Sequence, residues 1–324
     1  VFPESEFEQL RLQAITGMEA QRKEPGSIAS MALSRHFDPW PVGHPLHVQT
    51  LDESLAAMKA LKLEQVRAFY TDFYGASDGQ IAIVGDFDAV AARQQLESLF
   101  ASWKSPHPYA PIDTRYTRVA AARESFETPD KPNAVLLAQQ NLSLKVIDAD
   151  YAALRVADRV FGGGALKSRL GDRIRQKEGL SYGVASALRA DDSRSGKDDA
   201  GALVMQAIAA PQNMAKVETA MREELAKLIK DGITETELQD AVSGILTERQ
   251  QSRAEDSSVA GLLVSQLTYE RDMQFTAALD ARFKALTLEQ VNTAIRKNFK
   301  AEDLSVYLAG DFAKASSPAT PAGK

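Results

Sequence analysis

An internal repeat constrains this chain more than any other feature. Leu61-Lys62-Leu63-Glu64-Gln65-Val66 returns as Leu286-Thr287-Leu288-Glu289-Gln290-Val291, 225 positions later. The same offset carries Asp78 onto Asp303, and Gly85-Asp86-Phe87 onto Gly310-Asp311-Phe312. Ten of the 27 positions from Leu61 to Phe87 are identical in this register. Upstream, Arg22 to Ala29 aligns with Arg253 to Ala260 at an offset of 231, and the six-residue difference falls in the loop around Trp40 to Thr50. Two matching stretches in order, separated by one insertion, indicate a duplicated structural unit.

Local patterns predict the same elements in both copies. Phe7, Leu10, Ala14 and Met18 line one helical face, as Leu238, Val242, Ile245 and Leu246 do in copy two. A second helix is predicted from Ser27, and its counterpart near Ser257. A third runs from Leu63 to Phe73, matched by Leu288 to Phe299. Each copy then shows a β-rich run, Gln80 to Val84 or Ser305 to Ala309, ended by Gly-Asp. In copy one Asp88 is placed to cap a last helix reaching about Trp103.

Copy two has more in front of it. Arg115 to Glu127 and Ala134 to Asn141 read as strands, and Ala149 to Phe161 as an amphipathic helix. After Gly162-Gly163-Gly164 comes a helix from Lys167 to Lys177. Tyr182 to Leu188 and Ala202 to Ala209 read as a hairpin, and Asn213 to Lys230 as a long helix. The expected fold class is α+β, a duplicated unit whose mixed, mostly antiparallel sheet is covered by helices. Since Val1 plus 231 is Gly232, copy one lacks roughly a hundred leading residues that would supply most of its sheet. This divides the chain into the back of a first unit (1–104), a proline-rich linker (105–114), a complete second unit (115–315) and a tail predicted to be disordered (316–324). A half-sheet with an open edge is a poor independent domain, so the first copy is expected to be a fragment or to pack against something that completes it.

Composition excludes several function classes. The 38 basic and 44 acidic residues give a net charge of −6 and are interspersed, which argues against a nucleic-acid or anionic-membrane partner. No run of apolar residues is long enough to span a membrane. With no cysteine there is neither a thiol nucleophile nor a thiolate metal site. Of the four histidines, His44 and His47 lie three apart across Pro45, whereas a helical metal pair needs the i, i+4 spacing that puts both rings on one face. They read as loop histidines, with a functional role the alternative.

Two features could carry binding chemistry. The triple glycine reads either as a helix-terminating turn or as a loop along which a peptide backbone approaches closely, at Gly163 and Gly164 in particular. The arginines between Ser168 and Gly183 read as a solvated helix face. Alternatively, Arg175 and Tyr182, seven residues apart around Gly179, converge to donate to a substrate carbonyl or oxyanion.

Gly162-Gly163-Gly164, Ser168-Arg169-Leu170 and Arg175 followed by Gly179-Leu180-Ser181-Tyr182 resemble the second domain of each half of insulinase/pitrilysin-type zinc peptidases. Copy one resembles the back of the preceding domain through Glu6-Phe7-Glu8, Gly43-His44-Pro45 and Val84-Gly85-Asp86. The resemblance implies the α/β unit of that family, repeated to enclose peptides in a chamber. Its zinc is held by an inverted His-x-x-Glu-His helix and a later glutamate, the glutamate of the motif serving as general base. No His-x-x-Glu-His occurs here. Glu6-Phe7-Glu8 leads to Thr16-Gly17, which puts Gly17 at the expected ligand position, with Glu19 and Glu24 out of register. The resemblance therefore implies a silent half with no catalytic or metal-ligating residue, the zinc lying in a catalytic half on the same polypeptide or a separate subunit. Arg175, Tyr182, Gly163 and Gly164 are its implied contacts to unfolded peptide. A purely structural subunit is the alternative. Family habit points to the periplasm, with the cytoplasm as alternative.

Overall fold

The computed structural model describes residues 2–164, 167–193 and 196–316. Expectations falling on residues 165–166, 194–195 and 317–324, the disordered tail among them, lie outside the described residues. In chain order the elements are α1 (Glu4–Gln21), α2 (Pro25–His36), α3 (Leu51–Ala60), α4 (Leu63–Phe73), α5 (Ala89–Phe100), β1 (Arg123–Glu127), β2 (Ala134–Ser143) and α6 (Tyr151–Asp158). They continue with β3 (Gly183–Arg189), β4 (Ala200–Ala209), α7 (Met214–Asp231), α8 (Glu235–Ser252), α9 (Asp256–Thr268), α10 (Met273–Lys284), α11 (Leu288–Asn298), β5 (Ser305–Gly310) and α12 (Phe312–Ser316). The mixed α+β class and the five-stranded sheet agree with the sequence reading.

The chain folds as two compact units. One holds the stretch to Glu19, Leu51–Asp113 and Thr247–Ala278; the other holds Ala20–Thr50, Thr114–Leu246 and everything from Leu279. Packing thus divides the chain differently from repeat order. Helix α2, which belongs to copy one in sequence, is part of the sheet-bearing unit because its apolar face (Pro25, Ala29, Leu33) is buried against β2 and β5. Pro25 opens that helix without loss of a hydrogen bond, since the first N–H groups have no intrahelical partner.

In the sheet-bearing unit the strand order is β1-β5-β2-β4-β3. Three of the four pairings are antiparallel, and only β1 and β5 run parallel. Every residue of β5 is buried, so it reads as an uninterrupted apolar run rather than an alternating one. Strand β2 alternates, with Ala134, Leu136, Ala138 and Leu142 facing a core shared with Leu154, Phe161, Leu225 and Ile295. On the opposite face α2 lies over Val135, with the His36 Nε2 and Ser305 Oγ 3.0 Å apart and the His36 ring beside Tyr307. The predicted strand from Arg115 is laddered only over β1, the preceding residues being held instead by bonds such as Tyr116 N–H to Asp199 Oδ1.

The other unit is helical. Phe2, Phe69, Tyr70, Phe73, Tyr74, Phe100 and Trp103 form a run of ring contacts with centroids 5.0–6.3 Å apart. Asp88 caps α5 as expected, its carboxylate accepting from the Val90 and Ala91 N–H groups. The predicted strand from Gln80 to Val84 is absent among the described residues. Its counterpart β5 is hydrogen-bonded to β1 on one side and β2 on the other, whereas among the described residues no strand pairs with residues 80–84. Without a ladder partner a β-rich sequence stays extended but unpaired. Burial records the same difference. Phe69, Tyr70, Tyr74, Ile81 and Ile83 are 38–57% exposed, whereas their equivalents Ala294, Ile295, Phe299, Val306 and Leu308 are at most 2% exposed.

Hydrogen exchange should register this asymmetry. Amides of Ser305–Gly310 are expected in the slowest class and those of residues 80–84 in the fastest; comparable protection of the two would contradict the unpaired state of the first copy.

Candidate functional site

The triple glycine is reached through a change of helical pitch. Helix α6 passes at Asp158 into a π-helical turn, Arg159–Gly163, and so brings the glycines against β3. A Cβ at Gly162 would lie 2.6 Å from the Ser186 backbone nitrogen and 2.8 Å from Leu170 Cδ1. One at Gly163 would lie 2.7 Å from the Asp158 carboxylate, and one at Gly164 would lie 2.3 Å from the Lys167 carbonyl oxygen. None of the three has a positive φ. These glycines are therefore not a left-handed helix stop; they permit close approach, and the groups approached are the chain's own strand and carboxylate.

The segment carrying Arg175 is predicted as an ordinary helix but is π-helical over Gly171–Lys177. Its end is a Schellman-type turn with Gly179 at φ +60° and the Leu180 N–H donating to the Ile174 carbonyl. Gly171 leaves room for the Arg175 guanidinium, whose Nη2 lies 3.3 Å from where a Cβ would sit. Two π-turns flanking one glycine loop are notable because such insertions cluster at functional sites.

The arginines of this stretch are not a uniform solvated face. Arg169 grips Glu237 with Nε and Nη2 at 2.8 and 2.7 Å, and also donates to the Gly232 carbonyl. Arg173 spans Glu178, Glu223 and Glu224. Both guanidiniums are held more basic by their carboxylate partners. Arg169 and Arg173 clamp the π-turn to α7 and α8. Arg175 lies half-buried on the same turn, and Tyr182 lies beyond Gly179 at 90% exposure, at the threshold of β3. Gly162 lies against Ser186 of β3, with Gly163 and Gly164 next to it in the loop, Tyr182 directly precedes β3, and Arg175 is on the preceding turn. Tyr182 is exposed to solvent, and the Arg175 guanidinium lies over Gly171. Strand β3 is an outer strand of the sheet.

Asp158 is the buried group that sequence patterns missed. It is 2% exposed and accepts from Ser186 Oγ at 2.6 Å and Arg155 Nη1 at 3.2 Å. Burial pushes its carboxyl above the usual range, against the opposing effects of Ser186, Arg155 and the Leu188 N–H. The signal available in sequence was only an acidic residue on the buried face of an amphipathic helix.

The histidines are engaged locally. His44 stacks on Trp40 at 4.0 Å, and its Nδ1 accepts from the Leu46 N–H. His47 Nδ1 meets Asp38 Oδ2 at 2.7 Å. Burial opposes ionisation of Asp38, but N–H donation from Trp40 and Val48, together with His47, holds it below the usual carboxylate range. That pair closes the Trp40 loop. Gly17 offers no ligand atom, and among the described residues no group of three or more histidine, aspartate and glutamate side chains is arranged to hold a metal. The donor set does not fit zinc.

The sequence profile described as the peptidase M16 inactive domain matches residues 60–245. The chain is 28% identical over 235 residues to an uncharacterized zinc protease of Streptomyces coelicolor, covering 68% of this chain and 49% of that protein. It is 25% identical over 190 residues to a non-peptidase homolog of Helicobacter pylori, covering 56% of this chain and 42% of that protein. The chain thus spans about half the length of these relatives. Among solved structures, a peptidase M16 inactive domain from Pseudomonas fluorescens shares the fold with a TM-score of 0.79 at 24% identity, over 96% of this chain and 71% of that one.

The Arg169–Glu237 clamp has a definite pH signature. Burial opposes ionisation of Glu237, but Arg169 and the Thr234 N–H and hydroxyl hold its carboxyl below the usual range. Its contribution is therefore present above the unfolded carboxylate value and lost as pH falls through the lower folded value. Arg169→Gln is expected to cost about 1–3 kcal/mol near neutral pH. Denaturant titrations should show the gap from wild type narrowing in acid, and a gap independent of pH would exclude this account.

Proposed function

We propose, from the premise that this chain belongs to the peptidase M16 inactive-domain family, that it is the non-catalytic half of a zinc-dependent endopeptidase. It closes the chamber in which a separate catalytic half hydrolyses peptides, and it holds extended substrate there. The observation that carries this reading is the outer strand β3, which starts beside Tyr182 and is backed by the glycine loop, with Arg175 on the preceding turn. An outer strand offers a row of backbone donors and acceptors, and an extended peptide can pair with it whatever its side chains. Tyr182 and Arg175 would then bind carbonyl groups of a peptide lying along that edge, each as a hydrogen-bond donor.

Zinc and the water it activates belong, in this reading, to the catalytic half. That half is either part of the same polypeptide or a partner subunit. No side chain of this chain is assigned to the metal, because Gly17 stands where the family keeps a carboxylate and both loop histidines are committed to Trp40 and Asp38. Elemental analysis of the purified chain is expected to find less than one zinc per molecule; a stoichiometric ion held by its own side chains would overturn this assignment.

Titration with a long fluorescein-labelled unfolded peptide, followed by anisotropy, tests the recognition role. Saturable binding is expected, weakened about tenfold by Arg175→Ala or Tyr182→Ala, the loss of one good polar contact. No binding, together with a silent Arg175→Ala in the reconstituted two-half enzyme, would leave a purely structural subunit.

A further inference from the structure

We infer that Asp158 is a positioning residue, an ionic latch that ties the glycine loop to the inner face of β3 and so keeps the outer edge of that strand straight for a peptide. The peptide-facing consequence rests on the function proposed above; the latch itself rests on geometry alone.

Two side chains converge on this one carboxylate. Oδ1 accepts from the Ser186 hydroxyl at 2.6 Å, and Oδ2 accepts from Arg155 Nη1 at 3.2 Å. Ser186 and Leu188 are alternate residues of β3 and both are buried, so their side chains point to the same inner face. The carboxylate thus grips the strand at Ser186. At its other side it is walled by the loop, because any side chain at Gly163 would meet Oδ2 at 2.7 Å. Gly162 presses on the same serine from the next position, its missing Cβ lying 2.6 Å from Ser186 N and 2.7 Å from Ser186 Oγ. Helix end, loop and strand therefore meet at one buried anion.

A carboxylate is a poor choice if the site needed only to be filled. Burying it carries a desolvation cost, and an apolar residue of similar volume is often as stabilising or more so. What the carboxylate supplies is direction, since the bond from Ser186 to Oδ1 fixes which residue of β3 sits over Asp158 and therefore the register between loop and strand. A one-residue slip would turn the inner face of β3 outward. Among the described residues β3 is held laterally by β4 alone, so this anchor replaces the second neighbour that an inner strand would have.

The test compares Asp158→Asn, Asp158→Leu and Ser186→Ala in the full chain, by hydrogen exchange and by the labelled-peptide titration. Asp158→Leu is expected to accelerate exchange across Gly183–Arg189 while α7 and α11 remain protected, and to weaken peptide binding about tenfold, equivalent to one lost anchoring contact. Asp158→Asn, which keeps an acceptor oxygen, should recover part of both, and Ser186→Ala, which removes only a hydroxyl, should show the exchange effect if the Asp158 variants fail to fold. Wild-type protection of β3 in Asp158→Leu, or in Ser186→Ala, would reduce Asp158 to filling and overturn the latch. Failure of the wild-type chain to bind peptide would instead sink the recognition role, while the exchange comparison still decides the latch.

Discussion

Backbone pairing on both sides of one strand organises this molecule. β5 has β1 on one edge and β2 on the other, and every residue along it is buried. An amide in that position has no route to water, so its partners are obligatory rather than optional. The helices follow from this requirement. α11 leads into β5 with Val291, Ala294 and Ile295 on its buried face, and α2 seals the opposite side of the sheet. Among the described residues, the segment with the same repeat signature in copy one, residues 80–84, has neither strand neighbour, and its isoleucines and the aromatics of α4 are exposed. One constraint thus accounts for a fully buried strand in one copy and no strand in the other.

Charge is used in this fold for fastening rather than for display. The clamps of Arg169 on Glu237 and of Arg173 on Glu223 and Glu224 are multidentate and join residues some fifty to seventy positions apart, and Arg173 also takes Glu178 within its own turn. Forked guanidinium–carboxylate pairs fix orientation as well as distance, which single-point lysine pairs do not. They hold the wide turn Gly171–Lys177 in a pitch that an unassisted helix would not keep. Asp158 plays the corresponding part under the glycine loop, with an anion in place of the cation. A π-turn places its residues off the regular helical face, so these fastenings determine where Arg175 is presented.

Much of this was legible in the chain before any coordinates. The repeat identified paired helices, α4 with α11, and sequence pattern located α7 and α11 to within a few residues, because each of those two buries one stripe of its own surface. Residues 80–84 misled for a physical reason. Strand propensity describes fit to a pleated, half-buried surface, and it cannot say whether a neighbour exists. The π-turns left no trace in the pattern, since a single inserted residue per turn shifts the apolar phase too little to read over one turn. Arg169 and Arg173 looked like surface arginines because their partners on α7 and α8 lie far away in sequence. The assignment of α2 to the sheet-bearing unit was equally hidden, its apolar stripe giving no indication of which surface it would meet. At the site, Gly163, Gly164 and Tyr182 were proposed from their order along the chain, while Asp158 was not, because a lone acidic residue in an amphipathic helix is ordinarily solvent-facing.

The same reasoning explains why losing a metal site need not erase a binding edge. A zinc-dependent hydrolase needs a few ligands at exact positions, and one substitution to glycine removes a ligand outright, which is the proposed reading of Gly17. Strand-edge recognition is distributed over successive backbone groups and depends on keeping one strand straight and one flank unpaired. Its requirements here are the β4 ladder on one side, the buried face of Ser186 and Leu188 below, and glycines thin enough to let the loop lie close. None of those elements includes Gly17, His44 or His47. Under the proposed function, mutation would silence chemistry in such a fold while leaving the strand edge in place, and the two properties are separable because they depend on different atoms.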